Sequence, residues 1–158
     1  SLNPKLTKLA VIERHKGTGK IGLGLLEGYE LSGGAVATTI AHDSHNIVVA
    51  GDSEAAMRAV VDELERIGGG IVMLAGGKLH SLSLPVAGLL SNADPLETAR
   101  TLGEMIRIAH DVLGIPEAVE PFMTLSFMAL PVIPDLKLTA RGLFSVNAFS
   151  FVDLAVES

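Results

Sequence analysis

Five consecutive polar residues between two apolar segments form one of the two densest groups of chemically active side chains in the sequence. They are His42, Asp43, Ser44, His45 and Asn46. Histidine titrates near neutral pH and ligates metals. Two histidines beside an aspartate are therefore more than a simple turn requires. The same residue types also suit a solvated turn. The sequence therefore predicts either a plain turn or a loop of donors and acceptors that faces a polar ligand or a metal site completed elsewhere.

A complete metal site or a catalytic nucleophile is not expected within this chain. The spacing of His42 and His45 lacks the i, i+4 geometry that places two histidine ligands on one helix face. The other histidines, His15, His80 and His110, are scattered along the sequence. Cysteine is absent, which removes thiolate sites and disulfides, and no G-x-S-x-G motif marks a serine nucleophile. We predict no catalytic and no metal-ligating residue here.

The second polar cluster follows a strand predicted over Leu6 to Glu13 and contains Arg14 and His15. It continues into Gly17-Thr18-Gly19-Lys20-Ile21-Gly22, which matches the G-x-G-x-x-G pattern of nucleotide-binding folds. In those folds the first glycine closes the strand and the following helix holds the pyrophosphate. Here charged residues separate the strand from the first glycine, and a further glycine weakens the helix. A flexible loop with a basic tip is the favoured interpretation.

Two long helices and several short strands must position these clusters. One helix is predicted over Asp52–Ile67, with Asp52 or Ser53 as its cap, and the other begins at Asp94-Pro95-Leu96-Glu97 and ends near Gly114. The strand candidates are Gly33–Ala41, Ile47–Ala50, a hairpin of Ile71–Leu74 with Leu79–Leu84, and a final region over Phe144–Leu154. Glycines in Ile21–Tyr29 allow a short helix at most, and prolines interrupt the tail from Phe122 onward. These elements predict an α+β fold, a mixed and largely antiparallel sheet with two long helices packed on it.

Length, charge and hydrophobic content exclude several classes of protein. The 158 residues fit one domain, 1–158. A net charge of −6 argues against a nucleic-acid partner, which requires a basic face. Neither a membrane span nor a secretory signal is evident, although 48% of residues are hydrophobic. The excess of apolar residues must be buried in the core or against another domain or protein. Ser1 stands in place of an initiator methionine, which suggests a piece of a longer protein.

Three segments together carry a family resemblance. They are Val11–Gly22 (VIERHKGTGKIG), Ile40–Ile47 (IAHDSHNI) and Pro121–Pro134 (PFMTLSFMALPVIP). In this order and spacing they resemble the C-terminal domain of the microbial adenine deaminases, which belong to the amidohydrolase superfamily. The resemblance extends over Leu9 to Leu154. It implies a parent protein that hydrolyses adenine to hypoxanthine and ammonia in purine metabolism.

The resemblance also implies a division of labour within that parent protein. A divalent metal pair, manganese or iron, and its ligands are expected in a preceding barrel domain that is absent from this chain. The barrel of the same protein is the expected partner, adenine the expected substrate, and the cytoplasm the expected compartment. We also expect a homo-oligomer, but no nucleic-acid or membrane partner.

The loops with Arg14 and His15 and with residues 42–46 are expected to point toward that neighbouring active site. There they would bind the purine edge by hydrogen bonds or orient the groups that do. In the simpler alternative these side chains bond only to each other and to backbone, and hold the loops in place. Two other functions also fit the sequence: a free-standing module that binds a small ligand, and an oligomerisation domain that associates through Phe122–Pro134.

Overall fold

The computed structural model describes residues 6–154, which form nine strands and three helices. The strands are β1 (Leu6–Ile12), β2 (Ile21–Glu27), β3 (Gly34–Thr38), β4 (Ile47–Gly51), β5 (Gly70–Ala75), β6 (Lys78–Ser83), β7 (Leu136–Thr139), β8 (Gly142–Ser145) and β9 (Ser150–Phe151). The helices are α1 (Glu54–Arg66), α2 (Pro95–Asp111) and α3 (Pro121–Met128). None of the helices in these residues has the length and apolar character needed to cross a bilayer.

The first six strands form one sheet in the order β2-β1-β4-β3-β5-β6, and the last three form a smaller sheet in the order β7-β8-β9. Every neighbouring pair in both sheets is antiparallel. The predicted α+β class with a largely antiparallel sheet is therefore confirmed. The predicted hairpin is also confirmed, as β5 and β6 joined at Gly76 and Gly77, both of which have positive φ.

Each face of the large sheet is covered by a different layer. Because successive side chains of a strand point to opposite faces, the central strands supply two separate cores. The core under α1 includes Val60, Leu64 and Val49, and the core on the other face includes Leu125 and Leu113. The second core lies beneath α2, α3 and the small sheet. The central strands are buried on both faces, so they consist almost entirely of apolar residues.

The two long helices begin where their capping residues predict. The Ser53 hydroxyl accepts from the Ala56 N–H at 3.3 Å, and the Asp94 carboxylate accepts from the Leu96 and Glu97 N–H groups at 2.9 and 3.2 Å. The first turn of α2 lies away from the core, since Leu96 is 71% exposed. That helix contacts the sheet mainly through its second half.

Two segments differ from their predicted structure. Ile21–Tyr29, predicted to hold a short helix at most, contains strand β2. Its glycines are required by packing, because a Cβ at Gly22 would overlap the Thr139 carbonyl oxygen and one at Gly24 would lie 3.3 Å from Leu138. The segment predicted to be broken by prolines contains α3, in which Pro121 occupies the first turn and Glu120 caps the Met123 N–H.

The predicted final strand region, Phe144–Leu154, is only partly extended. It contains the end of β8 and the two-residue β9, with a turn between them. The Phe144 ring packs edge-on against Phe149 and Phe151, with centroid distances of 5.5 and 5.3 Å. Strands this short form few ladder hydrogen bonds, and the ring contacts add to them in holding the segment together.

Candidate functional site

The two polar clusters meet at one end of the large sheet. Strand β1 ends at Ile12 and strand β4 begins at Ile47, and these two residues are directly paired. The loop after β1 and the loop before β4 therefore leave the sheet side by side. We call the cluster formed by Glu13–Lys20 and His42–Asn46 the polar end.

The Glu13 carboxylate organises the first of these loops. It accepts from the backbone N–H groups of His15, Lys16 and Thr18 at 2.6, 2.7 and 3.1 Å, and from the Thr18 hydroxyl at 3.0 Å. These bonds lower the pKa of Glu13 from 4.5 to about 2, and the bond from the Thr18 N–H has the largest effect. The carboxylate is thus a structural anion, and its oxygens are already engaged by the loop.

Glu13 should give the stability of the chain a measurable pH dependence. Because its pKa is lower in the folded state, its contribution is present above pH 4.5 and is lost as the pH falls toward about 2. We expect Glu13→Gln to lower the free energy of unfolding at pH 7, with the difference from the parent chain shrinking below pH 4.5. Urea unfolding at several pH values measures this. Glu104→Gln, at an exposed position of α2, is the control, and a difference for Glu13→Gln that does not change with pH would contradict the assignment.

Arg14 connects three loops through its guanidinium. Its Nε–H donates to the His45 carbonyl at 2.7 Å, and Nη2 donates to the Ala87 carbonyl at 2.5 Å. The guanidinium also lies over Gly88, where a Cβ would come within 2.6 Å of Nη1. Partial burial lowers the pKa of Arg14 from its usual value. Sequence reasoning missed the turn at 86–90, because it takes part only through its backbone.

The histidines of the polar end have different surroundings. The His42 ring packs on Phe127 at 4.9 Å between centroids, and the His45 ring lies edge-on to His42 at 6.4 Å. His15 Nε2 donates to the Ser44 carbonyl at 2.8 Å. The Nδ1 atom of His45 is buried and has no hydrogen-bond partner among the described residues. Since buried polar atoms are normally satisfied, this nitrogen is an exception, and the accessible part of the half-buried ring is the more direct position for a contact from outside the chain.

The structure brings all seven predicted site residues to the polar end. Arg14, His15 and Asn46 bond mainly to loop backbone, as in the simpler alternative, in which these groups hold the loops in place. Asp43 is exposed, and His42 and His45 are half-buried, so all three can offer polar atoms to another molecule. The two loops therefore hold each other in a fixed arrangement, and a few of their polar groups remain available for contacts with another molecule.

A cleft of about 600 Å³ opens beside the polar end. The loops contribute Lys16, Lys20 and Asn46, and the small sheet contributes Arg141 and the phenylalanines 144, 149 and 151. No local sequence pattern predicts this wall, because only the packing of the small sheet on β2 brings it there. Three cations, the Glu13 carboxylate and three aromatic rings line the cleft, so it carries a net positive charge and is largely apolar.

The divalent pair implied by the resemblance does not fit the residues that the structure describes. Between Leu6 and Leu154 no three histidine, aspartate or glutamate side chains are placed so that they could hold a metal ion. The side chains of the polar end are hydrogen-bond donors and acceptors.

Comparisons with known proteins agree on one family. The model of the adenine deaminase C-terminal domain matches residues 1–150. Adenine deaminase of Nitratidesulfovibrio vulgaris strain DP4 is 62% identical over 152 residues, 96% of this chain and 26% of that protein. Adenine deaminase 2 of Carboxydothermus hydrogenoformans is 50% identical over 157 residues, 99% of this chain and 27% of that protein. Adenine deaminase of Bacillus subtilis is 45% identical over 153 residues, 94% of this chain and 26% of that protein.

The chain belongs to the adenine deaminase C-terminal domain family. This confirms the resemblance carried by the three quoted segments, of which two form the polar end and the third contains α3. The chain spans about a quarter of the length of the curated adenine deaminases that it matches. The polar end is thus a feature of a domain that accounts for a minor part of those proteins.

Proposed function

We propose that this chain is the companion domain of a larger adenine deaminase, which hydrolyses adenine with one water molecule to hypoxanthine and ammonia. The observation that supports this is the identity of 45 to 62% to proteins named adenine deaminase, each about four times as long as the matched region. In this proposal the bond-breaking groups lie in the preceding barrel domain. Family membership favours this interpretation over a free-standing binding or oligomerisation module.

The role proposed for the polar end is to contribute hydrogen-bonding groups at the edge of the neighbouring active site. A purine offers ring nitrogens as acceptors and an exocyclic amine as donor, and a neutral imidazole has one nitrogen of each kind. The accessible parts of the His42 and His45 rings and the exposed Asp43 carboxylate suit such contacts. Arg14, His15, Ser44 and Asn46 would act as positioning residues, because their bonds hold the two loops together.

The remaining features of the proposal concern the parent protein. We place the divalent metal pair, manganese or iron, in the barrel, and the role given to this chain does not depend on it. We further propose that the parent acts in purine metabolism in the cytoplasm and forms a homo-oligomer. Several exposed apolar side chains, among them Phe149 at 81% exposure, offer surface for such contacts.

The test is to measure ammonia release from adenine by two proteins, the full-length parent and the 158-residue chain, each supplied with Mn²⁺ or Fe²⁺. The full-length protein should deaminate adenine, and the chain alone should release no ammonia above the uncatalysed rate. Turnover by the chain alone would contradict its role as a companion domain. A full-length protein that binds the metal but leaves adenine unchanged would contradict the proposed reaction.

A further inference from the structure

Strand β2 carries three large aliphatic side chains on one exposed face. Ile21, Leu23 and Leu25 are 54, 64 and 45% exposed. They are paired directly with Ile12, Ala10 and Lys8 of β1, so they lie on the face of the sheet that carries α1. The intervening glycines point to the other face, where the small sheet packs. We call Ile21, Leu23 and Leu25 the β2 face.

Helix α1 leaves this part of the sheet uncovered. It packs on β3, β4 and β5, whereas β2 is the edge strand, separated from β3 by β4 and β1. Edge strands of soluble proteins are commonly protected by charges, prolines or bulges. Strand β2 has neither a charge nor a proline before Glu27, and its register with β1 is continuous over seven pairs. Its sequence and geometry are those of a strand that another body covers.

We propose that the β2 face is the docking surface for the polypeptide that precedes this domain in the parent protein. This inference rests on the proposed function, which makes the chain the C-terminal part of a longer protein. The occupant follows from the length of chain that is missing: about three quarters of the curated relatives lies outside the matched region. A body of that size is joined to this domain in every copy, at an effective concentration that a separate partner does not reach.

The direction of β1 supports the same occupant. Strand β1 begins at Leu6, which is paired with Glu27 at one end of β2, so polypeptide N-terminal to β1 enters the sheet beside that end. The other end of β2, Ile21, adjoins the polar end directly through Lys20. A body seated along the β2 face therefore extends over about 20 Å, the length of a seven-residue strand. It would run from the covalent junction to the loops proposed to face its active site.

Another exposed apolar group lies in the small sheet and is less suited to this contact. Its rings partly cover one another, because Phe144 contacts both Phe149 and Phe151, and the Arg141 guanidinium lies 5.0 Å from the Phe151 centroid. These contacts give the rings partners within the domain. The side chains of the β2 face are uniformly aliphatic, and the one charged residue among their direct partners on β1 is Lys8, opposite Leu25.

Thiol labelling tests the proposal, because the chain contains no cysteine of its own. Leu23→Cys places one thiol on the β2 face, and Leu96→Cys places a matched thiol on α2, where the native side chain is 71% exposed. Each variant is prepared as the full-length protein and as the 158-residue chain, and the labelled peptide is followed by mass spectrometry. We expect labelling at position 23 to be about tenfold slower in the full-length protein than in the chain, since it must wait for the interface to open. Labelling at position 96 should change less than about twofold between the two proteins.

Three results would overturn the proposal. One is an unchanged labelling rate at position 23, which would show that the β2 face is open in the full-length protein. Another is equal slowing at both positions, which would indicate a general effect of the larger protein. The third is protection in the isolated chain that grows with its concentration, which would assign the face to a second copy. Ammonia release is measured on the same samples, so protection without deamination would contradict the proposed function and leave the docking surface intact.

Discussion

Replacing Gly34 by alanine should lower the free energy of unfolding of this chain by about 3 kcal/mol or more. Gly34 opens β3, which lies inside the sheet between β4 and β5. A Cβ at this position would overlap the Leu74 carbonyl oxygen of β5 and lie 2.9 Å from the Leu113 Cδ2 atom. The first obstacle is backbone, so relief requires separation of two paired central strands. Equilibrium urea unfolding followed by far-UV circular dichroism measures the effect.

Gly103→Ala is the matched control for that experiment. Gly103 lies in α2, and no heavy atom lies within 4 Å of the position that its Cβ would take. Alanine in an exposed helix interior restricts the unfolded chain and favours the helix, so this variant should gain about 0.5–1 kcal/mol. The same chemical change should therefore have opposite signs at the two sites. A loss below about 1 kcal/mol for Gly34→Ala would show that β3 and β5 can separate at little cost, contrary to the close approach seen here.

The elements that the sequence predicted correctly are those fixed by local chemistry. Ser53 and Asp94 satisfy free N–H groups at the starts of α1 and α2, and these bonds form within three residues of the cap. The β5–β6 hairpin follows from Gly76 and Gly77, which supply positive φ at its turn. Such signals do not depend on the rest of the fold. The α+β class follows from the same elements.

The elements that the sequence did not predict are fixed by distant contacts. The glycines of β2 resemble helix breakers, but they are required because Thr139 and Leu138 of the small sheet pack against them. Pro121 looks like an interruption, although at the first turn of α3 it costs no helix hydrogen bond. In both cases the residue type is compatible with two local structures, and tertiary packing selects one.

The candidate site likewise combines features that residue types predict with features that depend on distant contacts. Residue types alone identified both loops of the polar end, because clustered histidine, aspartate and arginine side chains are chemically informative wherever they fold. The pairing of Ile12 with Ile47 then places the loops together. The turn at Ala87, in contrast, contributes only a carbonyl to Arg14, and the wall with Arg141 depends on how the small sheet packs on β2. Neither contribution has a side-chain pattern from which it could be predicted.

Replacing His45 by alanine in the full-length protein should lower kcat/KM for adenine by about 30- to 100-fold, if the polar end faces the substrate. The backbone of His45 is held without its ring, because its N–H donates to the Ala41 carbonyl at 2.6 Å and its carbonyl accepts from Arg14 at 2.7 Å. The loop should therefore keep its shape when the imidazole is removed. What is lost is the contact of the His45 imidazole with the purine, a hydrogen bond worth about 2–3 kcal/mol when its partner is left buried and unsatisfied.

A second variant separates this contact from an effect on the loop itself. His45 has φ of 48°, a left-handed conformation that glycine adopts without the steric cost that it has for alanine. His45→Gly should therefore preserve the loop and still lower kcat/KM, because it has no side chain that could replace the imidazole. His80→Ala, on the opposite edge strand β6, is the control and should stay within about twofold of the parent protein. If both His45 variants and His42→Ala remain within about twofold while folded, the polar end does not contact substrate. Its hydrogen bonds would then serve only to hold the loops in place.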